Sequence, residues 1–195
     1  MKFRWYHGAI GAVAAWFLLA GIKDPGERVL AAARSKVGTT EDGGKNRGDD
    51  VDRWNQENGS PPGSNWCANF LAAMVRFALG KARPSWLRLS PVAKAWREDF
   101  AKAGRWYTAA ELRARPELVR PGLVFVWDRA SPGKPETAWM GHIGIGASHA
   151  QSDGTFQTVE GNSGPVGDRV SDAMPRALSD PKLLGAGVLG DAVRA

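Results

Sequence analysis

The sequence predicts an α+β fold, in which helices come first along the chain and a group of short antiparallel strands follows. Segments with helix-start signals and apolar residues at helical spacing occupy residues 24–116. Alternating apolar segments bounded by turn residues begin at residue 122, and they are short and close in sequence. This order favours a small antiparallel sheet or half-barrel packed against the helices. With 195 residues, 43% of them hydrophobic, the chain is long enough to bury one core.

The first predicted helix begins at Asp24, which can cap its N-terminus. Pro25 suits the first helical position, and Glu27 completes a capping box three residues after the cap. Gly38 is predicted to end this helix. Its apolar stripe comprises Val29, Leu30, Ala33 and Val37. A polar loop and a short helical piece around Trp54 are expected to follow.

The next long helix contains Cys67, the only cysteine in the chain. Ser64 or Asn65 is predicted to cap this helix, and with Asn65 as the cap Cys67 occupies the second helical position. Gly80 is predicted to end it. Its apolar residues at helical spacing are Trp66, Phe70, Ala73, Met74 and Phe77.

Two more helices and up to five strands complete the prediction. One helix runs from a cap at Ser90 to Gly104, and a shorter one begins at Thr108 with Glu111 three residues later. Three segments have clear strand patterns, and they cover residues 122–128, 141–149 and 155–162. Two further segments are weaker strand candidates, and they cover residues 168–175 and 183–189.

The N-terminus has the pattern of an export signal or a membrane anchor. Lys2 and Arg4 precede an uncharged, mainly apolar stretch at residues 5–22, which reaches the lower length limit of a membrane span. The segment lacks a good cleavage site, so both a removed signal and an uncleaved anchor remain open. A buried helix of a soluble domain fits less well, because no polar stripe interrupts the segment. We expect residues 1–23 to be a signal or anchor and residues 24–190 to form one folded domain.

Charge and cysteine content limit the classes of function. The net charge of +6 is compatible with simple solubility or with attraction to a polyanion such as an acidic cell wall. Because the basic residues form no long run and no nucleic-acid-binding signature is present, we expect no nucleic-acid partner. One cysteine excludes an intramolecular disulfide, and one cysteine with three histidines makes a zinc site improbable.

Three distant segments together suggest a catalytic site. Cys67 at a helix start gains a lowered thiol pKa from the positive end of the helix dipole. His142 begins a strand whose same face carries only glycines, which leaves room for a partner. Glu160 and Asn162 share a face of the next strand, and either one can accept a hydrogen bond from the second imidazole nitrogen. Each residue alone is more often structural, so the prediction depends on their conjunction.

Trp66 and Trp139 are predicted to contact a substrate, and Trp86 is a further candidate for the wall of a groove. Nine tryptophans are present, and some of them can stack on a sugar. Trp139 lies in a predicted loop and is a candidate wall of a groove, as is Trp86. Trp66 directly precedes Cys67 and is the second candidate for substrate binding, although it also lies on an apolar helix face.

The segments "NWCANF", "GHIGIG" and "TVEGNSG" resemble, in this order, the CHAP family of cysteine- and histidine-dependent amidohydrolases and peptidases. "RPGLVFVWD" resembles the family's Pro-Gly-Asp strand, with Leu123 where many members have an acidic residue. The resemblance covers about residues 26–165 and implies a papain-like fold. It implies that Cys67 is the nucleophile, His142 the general base, Glu160 the orienting acceptor and Asn162 its polar companion. Trp66 departs from members that place a polar side chain there to bind the oxyanion.

The resemblance also implies the substrate. We expect a monomeric peptidoglycan hydrolase, either an endopeptidase or an N-acetylmuramoyl-L-alanine amidase, that forms a thioester intermediate without a metal or cofactor. Export to the bacterial cell envelope or periplasm, or anchoring in the inner membrane, fits this substrate. Wall remodelling, phage lysis and antibacterial action all remain open. A non-catalytic envelope-binding module and an amidase for another small amide are the alternatives. Some relatives bind calcium through acidic loops, but the acidic residues here lack the regular spacing of a calcium-binding loop and are expected to be solvated surface: Asp42, Asp49, Asp50 and Asp52.

Overall fold

The computed structural model describes residues 21–190. The predicted export signal or anchor lies almost entirely outside these residues, so it remains a prediction. Within residues 21–190, no helix combines the length and the apolar character needed to cross a membrane.

Helices dominate the first half of the described chain and strands the second half. The α-helices within residues 21–190 are α1 (Pro25–Arg34), α2 (Asp49–Glu57), α3 (Cys67–Leu79), α4 (Ala93–Lys102) and α5 (Ala109–Ala114). The strands are β1 (Trp106–Thr108), β2 (Val124–Asp128), β3 (Gly141–Gly146), β4 (Thr155–Ser163), β5 (Arg169–Ala177) and β6 (Leu183–Gly187). The strands form one antiparallel sheet in the order β1-β6-β2-β3-β4-β5. The predicted α+β class is confirmed.

The first helix starts where its capping residues predict. The Asp24 carboxylate accepts a hydrogen bond from the Glu27 backbone N–H at 3.0 Å, and Pro25 occupies the first turn. The next residue, Gly26, packs directly on the turn before β2. A side chain on Gly26 would place its Cβ 2.4 Å from the carbonyl oxygen of Gly122, which itself has a φ of +85°. Gly122, the glycine of the "RPG" segment, is therefore required both by its close contact with Gly26 and by its own backbone conformation.

The sheet has a hydrophobic core on each face, because its side chains alternate. Val124 and Val126 of β2 join Ile143 and Ile145 of β3 in the main core, against which α1, α3 and α4 pack. The intervening β2 residues, Phe125 and Trp127, join Leu112 of α5 in a second core. The predicted face division of β3, with the two isoleucines on one side and the histidine on the other, is confirmed by this arrangement.

Three details of the predicted elements are wrong. The first helix ends at Arg34 and not at Gly38, because Ser35 is its C-cap, and Val37, predicted on its apolar stripe, is 44% exposed. Phe77 was placed on the apolar stripe of α3, but its side chain is 41% exposed. The helix expected from Ser90 begins at Ala93, because the Ser90 hydroxyl accepts from the Val92 backbone N–H at 3.1 Å and forms a local turn instead. The three-residue strand β1 was not predicted, since so short a segment has no detectable alternation.

Candidate active site

Cys67 is the first residue of α3, not the second. Trp66 is the N-cap residue, and no side chain caps the helix. Ser64 is unavailable as a cap because its hydroxyl donates to the carbonyl oxygen of Pro61 at 2.7 Å, and the Asn65 carbonyl accepts from the Asn69 side chain at 3.4 Å. The prediction that Ser64 or Asn65 caps the helix is therefore wrong. Cys67 nevertheless lies in the first turn of the helix, where backbone N–H groups have no acceptor within the helix and can stabilise a negative charge on the sulfur.

A buried polar cluster holds the chain that leads into α3. Asn69 is completely buried, and its amide donates to the Asn55 side chain at 2.6 Å and accepts from Asn58 at 2.8 Å. Ahead of this cluster, the Asn46 amide donates to the carbonyl oxygen of Gly63 at 3.1 Å. These bonds connect α2, the loop and α3, so the position of the helix start does not depend on a conventional cap.

His142 forms a buried pair with Glu160 and lines the same cleft as Cys67. Its Nε2 is 2.5 Å from Glu160 Oε2, and both side chains are at most 2% exposed. The His142 side chain is also close enough to Cys67 for each group to shift the pKa of the other. Because Nε2 faces the carboxylate, Nδ1 is the nitrogen available to the sulfur.

Glycine in β3 makes the contact between His142 and Glu160 possible. The Glu160 side chain lies over Gly144, where an added Cβ would be 2.6 Å from Glu160 Cγ. The space that the glycines leave beside the histidine is therefore occupied by the carboxylate of the neighbouring strand.

The thiol of Cys67 is more acidic than an ordinary cysteine. Burial acts to raise its pKa, but the hydrogen bond and positive charge of His142 oppose this, with smaller effects from Arg129 and the Ala68 backbone N–H. The net result is a pKa below the usual 9.0. Cys67 is buried, with 7% of its surface exposed, and it is one of the residues that line a cleft.

The pKa values of the other two groups are also shifted. Burial acts to lower the pKa of His142, but its contacts with Cys67 and Glu160 raise it above the usual 6.5. Burial acts to raise the pKa of Glu160, but His142 and Arg176 lower it from 4.5 to about 2. All three shifts favour a thiolate, an imidazolium and a carboxylate at neutral pH.

Arg176 was not identified in the sequence. Its Nε donates to Glu160 Oε1 at 2.7 Å and its Nη2 to Glu160 Oε2, and the Thr158 hydroxyl donates to Oε1 at 2.5 Å. The Arg176 guanidinium also lies 4.8 Å from the ring centre of Trp127, and the rings of Trp127 and His142 are 6.1 Å apart. These groups enclose the Glu160 carboxylate. A buried carboxylate needs positively charged partners to offset the loss of its hydration. The only hint of Arg176 in the sequence was therefore the expectation that a buried Glu160 would need a basic residue in addition to His142.

Asn162 contacts the start of α3 and not His142. In the amide orientation that pairs both polar atoms, its nitrogen donates to the Gly167 carbonyl at 2.5 Å and its oxygen accepts from the Trp66 N–H at 3.2 Å. Asn162 has a φ of +53° and lines the cleft. Of the two candidate acceptors on β4, Glu160 is therefore the one that contacts the imidazole.

The two candidate substrate-binding tryptophans have opposite environments. Trp66 is completely buried, packs against Trp54 with ring centres 5.7 Å apart, and donates its indole N–H to Glu41 at 2.8 Å. Its ring cannot meet a substrate, so this prediction is wrong. Trp139 is 58% exposed on the cleft wall, but Trp86 packs against a core phenylalanine and does not line the cleft.

The cleft has a volume of about 520 Å³. Cys67 and His142 both line it, together with residues of the loop before α3, Arg129 and Trp139. Within residues 21–190, no three histidine, cysteine, aspartate or glutamate side chains are grouped so that they could hold a metal ion.

Comparison with known proteins identifies one family. The family model described as the CHAP domain matches residues 55–162, which include all four predicted catalytic positions. The match confirms the resemblance seen in the sequence, and helices preceding a six-stranded antiparallel sheet are consistent with the papain-like fold of this family. Neither the curated proteins nor the solved structures yielded a significant match.

Proposed function

Because this chain belongs to the CHAP domain family of amidohydrolases and peptidases, we propose that it cleaves an amide bond of peptidoglycan with Cys67 as the nucleophile. Family membership implies an amidase or peptidase of the cell-wall hydrolase type. The observation that best supports the finer proposal is that Cys67 lines the same cleft as His142, which lowers the thiol pKa and is itself paired with Glu160.

In the acylation step, the Cys67 thiolate attacks the carbonyl carbon of the scissile amide. The Cys67 backbone N–H, at the first position of α3, donates a hydrogen bond to the oxygen on which negative charge develops. The His142 imidazolium gives its proton to the amide nitrogen, the carbon–nitrogen bond breaks, and the amine leaves. The product is a thioester between the acyl group and Cys67.

In the deacylation step, neutral His142 removes a proton from a water molecule, which attacks the thioester carbonyl. The carbon–sulfur bond breaks, and the products are a carboxylic acid, the Cys67 thiolate and a protonated His142. Glu160 holds the imidazole with Nδ1 toward the sulfur and stabilises its positive charge. Asn162 is proposed to hold the Trp66 backbone, and through it the start of α3.

Mass spectrometry of fragments released from purified peptidoglycan tests this proposal. We expect the wild type to release fragments with new amine and carboxyl ends, and Cys67→Ala to reduce the rate by about 10⁴-fold or more. New amines within peptides identify an endopeptidase, whereas lactyl carboxyl groups and free L-alanine amines identify the amidase. Equal release by Cys67→Ala would show that the sulfur is not the nucleophile.

CHAP cell-wall hydrolases are typically extracellular. The predicted export signal or anchor at the N-terminus is consistent with such a location. We propose that residues 5–22 export the chain to the envelope or anchor it in the inner membrane, with residues 24–190 as a monomeric catalytic domain. Cell fractionation of the full chain and of a chain lacking residues 2–22 tests this proposal. An unchanged distribution after the deletion would contradict it.

A further inference from the structure

We propose that Arg129 binds a carboxylate of the substrate next to the scissile amide, so that the cleft selects acidic peptides. This inference depends on the proposed function, whose substrate class it narrows. Arg129 directly follows β2 and lines the same cleft as Cys67 and His142. Its charge is also close enough to act on the Cys67 thiol.

Among the residues that the structure describes, none is paired with the Arg129 guanidinium. This group makes no hydrogen bond or ion pair with another side chain within residues 21–190. The neighbouring acid, Asp128, is instead paired with Lys94 at 2.6 Å and accepts from the Ala130 backbone N–H at 2.7 Å. Arg129 is also exposed to solvent. Its guanidinium can therefore bind an anion that enters the cleft.

The rest of the cleft does not compensate this charge. Among the described residues that line the cleft, none is an aspartate or a glutamate. Its polar lining consists of neutral asparagine and serine side chains together with Arg129 and His142. An anionic group entering the cleft meets one permanent positive charge and no repelling carboxylate, whereas a cationic group meets the opposite situation.

The segment that carries Arg129 is held in place. The Arg129 backbone N–H donates to the Met140 carbonyl at 3.1 Å, which closes the loop at its base. Lys94 donates to the Ala138 carbonyl at 2.7 Å and so fastens the residue before Trp139. A loop fixed at these points loses little conformational freedom when it binds a ligand, and both Arg129 and Trp139 line the cleft.

Alkylation of Cys67 tests this inference without any assumption about hydrolysis. Iodoacetate and iodoacetamide are nearly the same size, and each is attacked by the thiolate with loss of iodide. Only iodoacetate carries a carboxylate. Because a change in thiolate fraction affects both rates equally, the ratio of the two rates reports carboxylate recognition alone. Cys67 is the only cysteine, so the modified site is unambiguous.

We expect the iodoacetate-to-iodoacetamide ratio to fall roughly ten-fold in Arg129→Gln, as for the loss of a charged hydrogen bond. Arg129→Lys should retain much of the ratio, because it keeps the charge. Arg115→Gln is the matched control, since Arg115 is exposed, lies outside the cleft and changes the net charge equally. The same ratio in Arg129→Gln and wild type would overturn the inference.

A second measurement connects the recognition to the substrate. Peptidoglycan whose free carboxyl groups have been converted to carboxamides is compared with the untreated polymer. We expect the wild type to have roughly ten-fold higher kcat/KM on the untreated polymer and Arg129→Gln to treat the two alike. Equal wild-type rates on the two polymers would overturn the inference. Absence of any hydrolysis would contradict only the proposed function, and the alkylation ratio would then decide whether Arg129 binds a carboxylate.

Discussion

Replacement of Arg176 by methionine tests how the buried Glu160 carboxylate is stabilised. Glu160 is completely buried, and Arg176 and His142 are the two cationic partners of its carboxylate. Methionine has a comparable length and no charge, so Arg176→Met removes one partner and leaves a buried carboxylate that is only partly compensated. Arg176→Lys keeps the charge and is the control for it.

The size of the effect follows from the pKa of Glu160. A decrease from 4.5 to about 2 corresponds to about 3 kcal/mol of stabilisation of the ionised form, shared between His142 and Arg176. Removal of one partner of a buried ion pair costs about 3–5 kcal/mol. We therefore expect Arg176→Met to lower the free energy of unfolding at pH 7 by about 2–4 kcal/mol.

The pH dependence of this loss distinguishes charge from packing. The pKa of Glu160 is lower in the folded than in the unfolded state, so its stabilisation is complete above pH 4.5 and lost between pH 4.5 and about 2. In Arg176→Met the pKa of Glu160 rises, so the carboxylate is protonated at a higher pH and the stability difference from wild type decreases below pH 4.5.

Urea unfolding at pH 7 and at pH 3.5 provides the measurement. A loss below about 1 kcal/mol at pH 7, or a loss that is equal at the two pH values, would refute this account of the Glu160–Arg176 pair. Arg176→Lys should lose less than Arg176→Met at pH 7, because it retains a positive charge at this position.

Three further predictions concern the site. His142→Ala should move the pH of half-maximal Cys67 alkylation by iodoacetamide upward, because burial then raises the thiol pKa with less opposition. Gly144→Ala should lower peptidoglycan hydrolysis by about ten-fold or more and reduce the melting temperature, because its Cβ would be 2.6 Å from Glu160 Cγ. Trp139→Ala should weaken binding of wall fragments several-fold while the melting temperature stays constant, as titration and thermal unfolding would show.

Each of these predictions has a control or a contradicting result. An alkylation midpoint in the wild type at or above pH 9.0 would contradict the lowered Cys67 pKa. Wild-type activity and melting temperature in Gly144→Ala would contradict this account of the contact between Gly144 and Glu160. Unchanged affinity of Trp139→Ala would exclude this indole from the binding surface.

Local signals account for the parts of the fold that were predicted correctly. The Asp24 cap and the capping box of Thr108 with Glu111 both form, because each depends on residues within one helical turn. The alternation of Ile143 and Ile145 with histidine and glycine was also correct, since neighbouring strand residues must point to opposite faces.

Errors occurred where distant residues decide the outcome. The α3 start was misplaced because Ser64 and Asn65 use their polar groups in other contacts. Trp66 packs against Trp54, so a residue adjacent to the nucleophile is turned into the core. Arg176 was missed because its bond to Glu160 depends on how β4 and β5 pair, and that pairing shifts between Thr158 and Glu160.

The sequence by itself determined the family, the α+β class and the chemical groups of the site: a thiol at a helix start, an imidazole at a strand start and an acceptor on the next strand. These features depend on residue type and short spacing. Only the tertiary structure decided that Glu160 rather than Asn162 contacts His142, and that Arg176 neutralises the carboxylate. The physical reason is that Coulomb and hydrogen-bond energies depend on distances of a few ångströms. Irregular strand pairing between remote segments determines those distances.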